Sequence, residues 1–155
     1  MKLMQVCTRR LAPGDERLLV AVAAAHKSAQ VSIEYAAQLL ANPAHYLLVA
    51  ESAGRLLGFV WAYRLERIDQ RPAQLFVYEV DVAADARRCG VGMRLMTHVR
   101  EIVAAEGLHE AFVLTGAGNL AAQALYAKTG ARRDEELSVV YIYPGAEHGD
   151  PMEKG

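Results

Sequence analysis

One strand pattern followed by a glycine-containing loop constrains the fold of this chain more than any other feature. The residues from Gln74 to Val82, QLFVYEVDV, are rich in β-branched and aromatic side chains, which favour a β-strand. Soon afterwards comes the loop RRCGVG, Arg87 to Gly92, and then MRLMTHVREIVAAEG, where apolar residues recur at helical spacing. A strand that leads through a loop into a helix is typical of an α/β protein.

The remaining patterns predict a three-layer α/β fold in the order β-α-α-β-β-β-α-β-α-β. We expect a mixed, mostly antiparallel sheet of six to seven strands with four flanking helices. KLMQVCTR is the first strand, and the helices ERLLVAVAAAHKS and SIEYAAQLLAN follow, the second with Ser32 as its N-cap. HYLLVAES and RLLGFVWAYRLE read as a hairpin. After the strand EAFVLT, a helix capped by Asn119, LAAQALYAKTG, leads to a last strand, LSVVYIY.

Length and composition predict a soluble, cytoplasmic protein. Of the 155 residues, 1–143 are expected to form one domain and 144–155 a flexible tail dominated by Pro, Gly and charge. The net charge of −1 argues against a general nucleic-acid binder. Two distant cysteines and five scattered histidines have no ligand spacing, so we predict neither a disulfide framework nor a metal site. No apolar run is long enough to cross a membrane.

The loop from Arg87 to Gly92 is placed to hold an anion. It lies between a strand and a helix, where unpaired backbone N–H groups meet the positive end of the helix dipole. Glycines at 90 and 92 allow the backbone to approach a phosphate closely. The other interpretation is an ordinary loop with exposed arginines. Neither a P-loop nor a dinucleotide-binding fingerprint is present.

The strand, the Arg-x-x-Gly-x-Gly loop, the following helix and strand, and the segment NLAAQALYAKTGA together resemble the GCN5-related N-acetyltransferases. The resemblance implies acetyl-CoA as cofactor, with its pyrophosphate on the loop amides and its pantetheine arm along residues 80–82, where the strand splays from its neighbour. Asn119 matches a position that contacts the pantetheine, although a helix cap also accounts for it. The implied cofactor-binding residues are Val80, Asp81, Val82, Arg87, Arg88, Cys89, Gly90, Val91, Gly92, Met93 and Asn119.

Two residues are predicted to be catalytic. Tyr126 matches the general acid of that family, and a phenol with a pKa of about 10 can protonate a departing thiolate. An alkylammonium must lose a proton before it attacks, and Glu79 is our candidate base, with Asp81 as the other possibility. A bulge in residues 80–82 would explain acids in so apolar a strand and could separate the two. Alternatively, Tyr126 only packs and the acids pair with Arg87 or Arg64.

The segment AYRLERIDQRPAQLFVYEVDV further resembles the gentamicin-type aminoglycoside 3-N-acetyltransferases, which have Asp in place of Glu79. This resemblance implies a resistance enzyme that acetylates the 3-amino group of an aminoglycoside. The expected acceptor-binding residues are Glu66, Asp69, Tyr78, Asp134, Glu135 and Glu136. A polyamine or protein amine as acceptor, and a non-catalytic acyl-CoA-binding module, stay open. A homodimer is also expected, because relatives dimerise and LSVVYIY is apolar on both faces.

Overall fold

The computed structural model describes residues 5–136 and 138–146. These residues form five strands and four helices, in the order β1 (Cys7–Arg10), α1 (Glu16–Lys27), α2 (Ile33–Ala41), β2 (His45–Ser52), β3 (Arg55–Leu65), β4 (Gln74–Val82), α3 (Val91–Ala105), β5 (Glu110–Val113) and α4 (Leu120–Lys128). A short 3₁₀ turn over Ala84–Ala86 links β4 to the loop before α3. None of the helices in the described ranges is long and apolar enough to span a membrane.

The strands form one sheet in chain order, from β1 to β5. Neighbours from β1 to β4 are antiparallel, and β5 is parallel to β4, so the prediction of a mixed, mostly antiparallel sheet is confirmed. The hairpin between β2 and β3 is confirmed too. Its turn residues Ala53 and Gly54 both have positive φ, 48° and 75°, as a tight two-residue turn requires.

Side chains that alternate along the central strands pack into two hydrophobic cores, one on each face of the sheet. In β2, Leu47 and Val49 join the core beneath α1 and α2, whereas Leu48 and Ala50 join the core beneath α3. This period of two is the expected consequence of strand geometry. The three-layer arrangement follows, because each helical layer needs an apolar sheet face to cover.

Two helix caps predicted from the sequence are confirmed. The Ser32 hydroxyl accepts a hydrogen bond from the Tyr35 N–H at 3.1 Å, at the start of α2. The Asn119 side-chain oxygen accepts one from the Ala122 N–H at 3.1 Å, at the start of α4. Both satisfy a backbone donor that the first helical turn leaves without a partner.

The predicted last strand, LSVVYIY, is not formed, so the expectation of six to seven strands is wrong for the described residues. Leu137 lies outside them, and residues 138–143 belong to no strand. Their large side chains are exposed, from 72% at Val140 to 96% at Tyr143. Strand-like composition produces a strand only where a sheet edge supplies hydrogen bonds, and this segment pairs with none of the described strands. Most of the predicted tail also lies outside the described residues.

Candidate active site

A bulge in β4 decides which way its acids point. Val77 pairs with Ala62 and Glu79 pairs with Trp61, so Tyr78 is an extra residue in the ladder. Before the bulge, Leu75 and Val77 pack in the α3 core, and after it Val80 and Val82 take over that face. Strict alternation would have directed Glu79 into the same core as Val77. The bulge lies ahead of residues 80–82 and does not separate Glu79 from Asp81, which corrects that part of the prediction.

Both acids face the C-terminal end of α1. The Glu79 carboxylate accepts a hydrogen bond from Lys27 Nζ at 2.8 Å, in a pair whose side chains are 29% and 51% exposed. Asp81 Oδ2 lies 2.7 Å from Nδ1 of His26, whose side chain is only 3% exposed. The hydrogen bond to Glu79 raises the pKa of the Lys27 ammonium, which therefore stays charged across the neutral range.

Of the salt bridges considered from the sequence, the structure forms a long one between Arg87 and Asp81 among the described residues. Arg64 lies near the C-terminal end of β3, where it pairs with Glu66 and Glu106. Arg87 turns back to donate to the Val82 carbonyl at 3.2 Å and lies 3.9 Å from Asp81, a distant contact. The acids are therefore held mainly by α1, which the sequence analysis did not connect with the site.

These side chains line a cleft of about 400 Å³ between α1, β4, β5 and α4. Several predicted residues meet there: Tyr78, Glu79, Val80, Asp81, Asn119 and Tyr126. His26 and Lys27 also line it and were missed. Their only sequence signal is a basic last turn on α1, which by itself is typical of many helices because cations favour the helix C-terminus.

Tyr126 stands on α4 and lines the same cleft as the acids. Its ring packs partly against the α3 core, and burial raises the pKa of its phenol above the ordinary value of 10.0. The raised pKa keeps the phenol protonated throughout the neutral range, as a proton donor requires. A larger, mostly apolar cavity of about 520 Å³ shares Tyr126 and Val113 with the cleft but contains neither acid. The smaller cleft is therefore the candidate active site.

β5 ends beside the cleft, whereas β4 continues past it. Their parallel ladder ends at Val77 and Val113, whereas β4 continues to Val82. Among the described residues, β4 has no strand partner on this side after Val77. Backbone groups along residues 78–82 are thus available to an extended ligand, which is the requirement for a pantetheine arm.

The loop before α3 fits a diphosphate. Within the described ranges, the N–H groups of Val91, Gly92 and Met93 make no backbone hydrogen bond of ordinary geometry, and the first bond of the helix runs from Arg94 to the Gly90 carbonyl at 3.0 Å. These donors and the dipole of α3 together favour an anion. A Cβ at Gly90 would meet nothing within 4 Å, so the approach to the loop is open.

Arg88 has an unusual backbone conformation, and Gly92 lies close to α4. Arg88 has φ of 59°, a left-handed conformation that is uncommon for a residue with a Cβ and recurs at ligand-binding loops. Gly92 also serves packing, since a Cβ there would lie 3.0 Å from Leu125 of α4. Cys89 is exposed in the same loop.

The other predicted acceptor-binding acids lie outside the cleft. Glu66 pairs with Arg64, and Asp69 pairs with Arg67 and Arg71. Asp134 Oδ1 accepts a hydrogen bond from the Glu136 N–H at 3.4 Å. These residues and Glu135 do not line the cleft, and their role in acceptor binding stays a prediction.

Sequence relatives of the chain are acetyltransferases. It is 35% identical over 100 residues to a mycothiol acetyltransferase of Pseudarthrobacter chlorophenolicus, an alignment that covers 64% of this chain and 31% of that protein. It is 33% identical over 120 residues to an L-2,4-diaminobutyric acid acetyltransferase of Bordetella parapertussis, with 74% and 63% covered. The chain thus spans about a third of the length of the first relative and under two thirds of the second.

Solved structures of aminoglycoside acetyltransferases share the fold. One, from an uncultured soil metagenomic sample and in complex with trehalose, has a TM-score of 0.82 at 20% identity, covering 90% of this chain and 97% of that one. Another, AAC(6')-Iy in complex with the bisubstrate analog CoA-S-monomethyl-acetylneamine, has a TM-score of 0.73 at 16% identity, covering 91% and 99%.

The Acetyltransferase (GNAT) family matches residues 15–131, which include the bulged strand, the loop and Tyr126. Enzymes of this family use acetyl-CoA, so the predicted cofactor is confirmed. The chain belongs to the acetyltransferase (GNAT) family.

Proposed function

We propose that this protein transfers the acetyl group of acetyl-CoA directly to a primary amine of a cationic small molecule, the 3-amino group of an aminoglycoside antibiotic being the first candidate. The observation that carries the proposal is the cleft itself. It brings two carboxylates and a protonated tyrosine together, beside the open edge of β4 and the loop before α3. A base, an acid and a place for the donor are the components that direct transfer needs.

The loop amides of residues 88–93 would hold the pyrophosphate, and residues 80–82 would run along the pantetheine arm. Acetyl-CoA supplies the acetyl group as a reactive thioester. Glu79 accepts a proton from the acceptor ammonium, directly or through water, which frees the nitrogen lone pair. A backbone N–H near Val80 would stabilise the oxygen on which negative charge develops. Tyr126 would give its proton to the departing thiolate and regain one from the nitrogen, which loses two protons when the ammonium becomes an amide. No covalent enzyme intermediate is needed.

The charge in the cleft supports a cationic acceptor. Glu79 and Asp81 lie on one strand face, and Lys27 already binds Glu79 as an ammonium ion. An acceptor ammonium would satisfy the same carboxylate by displacing Lys27. The exposed Tyr78 ring beside them can cover a cationic or sugar surface. The structural neighbours that act on aminoglycosides agree with this choice, although their likeness to the chain concerns the fold.

A second candidate acceptor is a small diamine. It is favoured by the 33% identity to a protein named for L-2,4-diaminobutyric acid, a molecule with two amino groups. A polyamine belongs to the same chemical class. A protein amine as acceptor, or a module that binds acyl-CoA without turnover, are the remaining alternatives.

Thiol release from acetyl-CoA by the purified protein tests the proposal. The acceptors are gentamicin and other aminoglycosides, diaminobutyrate, spermidine and a short peptide, and NMR of the product identifies the acetylated nitrogen. Turnover with gentamicin at the 3-amino group is the expected result. Turnover only with the diamine or polyamine would replace the acceptor, and acetyl-CoA binding without turnover of any amine would favour the non-catalytic module.

Glu79→Gln tests the base. The amide keeps the size of the side chain but cannot accept a proton at neutral pH, so kcat should fall by about 10²–10⁴-fold while acetyl-CoA still binds. Glu101→Gln is the matched control, since Glu101 is an exposed acid on α3 that pairs with Arg94. Equal activity of the two variants would remove Glu79 from the mechanism.

A further inference from the structure

His26 is a buried titratable group in the cleft that the mechanism above does not use. It lies in the last turn of α1, with its side chain 3% exposed and its ring edge-on to Phe59 at 5.2 Å between centroids. Its Nδ1 is 2.7 Å from Asp81 Oδ2. A carboxylate can only accept hydrogen bonds, so Nδ1 donates the proton and Nε2 is left with a lone pair.

The second ring nitrogen has no hydrogen-bonding partner among the described residues. Within the same part of the chain, no fully buried side-chain nitrogen or oxygen lacks a partner. Nε2 therefore retains access to solvent, and His26 is one of the residues that line the cleft. The arrangement is a carboxylate that orients an imidazole whose other nitrogen can take up a proton, as in known acid–base pairs.

Other titratable groups surround the pair. Glu79 and Tyr78 come from β4, Lys27 from α1 itself and Tyr126 from α4, all of them in the same cleft. Arg87, in the loop after β4, lies 3.9 Å from Asp81, and β3 contributes only the apolar Phe59 ring. Lys27 and Arg87 oppose a further positive charge, whereas Asp81 and Glu79 favour one.

A purely structural explanation for the pair exists. Cationic side chains at the end of a helix are favoured by its dipole, and the two contacts of His26 and Lys27 tie α1 to β4. A contact that only holds α1 against β4 does not require an imidazole, nor a partner acid whose side chain is 41% exposed. The Lys27–Glu79 pair already makes the same connection one residue further along α1.

We propose that His26 and Asp81 form a proton-relay pair for acetyl transfer. The proposal rests on the proposed function. Each turnover converts R–NH₃⁺ and the thioester into the amide and a thiol with release of one proton. Glu79 accepts that proton from the acceptor nitrogen, a water passes it to Nε2 of His26, and Asp81 stabilises the imidazolium until it releases the proton to solvent. Glu79 is then ready for the next acceptor, and Asp81 acts as a positioning residue.

The test compares pH–rate profiles of the wild type, His26→Gln and Asp81→Asn with the best acceptor. Glutamine can still donate to Asp81 but cannot take up a proton at neutral pH. We expect kcat for His26→Gln to fall by about 100-fold, with the KM for acetyl-CoA and the melting temperature nearly unchanged, and the acidic limb of the profile to change shape, because Glu79 alone is left to set it. Asp81→Asn should change the limb in the same way, and the double variant should be little worse than either single one.

His98→Gln is the matched control, because His98 is a half-buried histidine that contacts Thr8 at 3.0 Å outside the cleft. A His26→Gln profile that keeps its shape would overturn the relay while leaving the proposed function intact. Thiol release by the wild type tests that function separately. The tautomer gives a readout without turnover: ¹⁵N NMR of the imidazole should find Nδ1 protonated in the wild type, and protonation only at Nε2 would also overturn the relay.

Discussion

Replacing Gly58 by alanine should push β3 and β4 apart beside the cleft. A Cβ atom at Gly58 would lie 2.6 Å from the backbone oxygen of Asp81 and 3.3 Å from Cα of Val82, with Leu95 Cδ1 at 3.4 Å. Even the close carbon–oxygen contacts of sheets stay at about 3.3 Å, so β4 must move by roughly 0.7 Å. Leu95 is fully buried and leaves little room for β3 to move the other way.

Overpacking of this kind costs about 1–3 kcal/mol of unfolding free energy. For a domain of this size, each 1 kcal/mol lowers Tm by about 2–4 °C, so thermal denaturation should give a Tm lower by about 2–12 °C. Isothermal titration calorimetry should also find weaker binding of acetyl-CoA, because the displaced carbonyl belongs to the segment proposed to hold the pantetheine. Gly116→Ala is the control, since a Cβ there meets nothing within 4 Å. A Gly58→Ala variant with wild-type Tm and affinity would refute the argument.

Three further predictions concern other parts of the chain. Tyr126→Phe should lower kcat by about 10²–10⁴-fold with acetyl-CoA affinity unchanged, because it removes a phenol whose raised pKa keeps its proton available; wild-type turnover would contradict this. Burial lowers the pKa of His98 below its ordinary 6.5, so the unfolded chain takes up the proton first and stability is lost as the pH falls below about 6.5. Urea denaturation at about pH 7.5 and 5.5 should therefore find a smaller acid loss for His98→Gln, and an equal loss would refute the assignment. The predicted homodimer, if it uses the exposed residues 138–143, should shift towards monomer in light scattering when Ile142 becomes Asp, and an unchanged mass would exclude this surface.

Features with local signals were predictable. β4 has the predicted bounds because its β-branched and aromatic run is continuous. The caps at Ser32 and Asn119 depend on a side chain that reaches only three residues ahead. The turn from β4 into α3 was predictable because glycines lie between a strand pattern and a helical pattern, whereas its binding of an anion stays a prediction.

Features that depend on tertiary contacts were not predictable. His26 and Lys27 reach acids that are 55 and 52 residues away in the chain, and nothing in AAAHKS distinguishes them from ordinary helix-end cations. The position of the bulge depends on how β3 and β4 pair, which neither strand specifies alone. The segment LSVVYIY has strand-like composition, but composition does not say whether an edge strand of the sheet is available to pair with it.

Because Tyr78 is an extra residue in the ladder, the side chains of β4 that follow it point to the opposite faces from those that a regular strand would give. In a regular strand, every second residue from Leu75 to Asp81 would point to the same face. Here Leu75 and Val77 pack in the core, whereas Glu79 and Asp81 line the cleft. If the strand were regular, an acid introduced at position 79 or 81 would point into the core. One inserted residue instead moves every later side chain of the strand to the opposite face of the sheet. A designer who transplants this site to another sheet must therefore carry over the insertion along with the side chains.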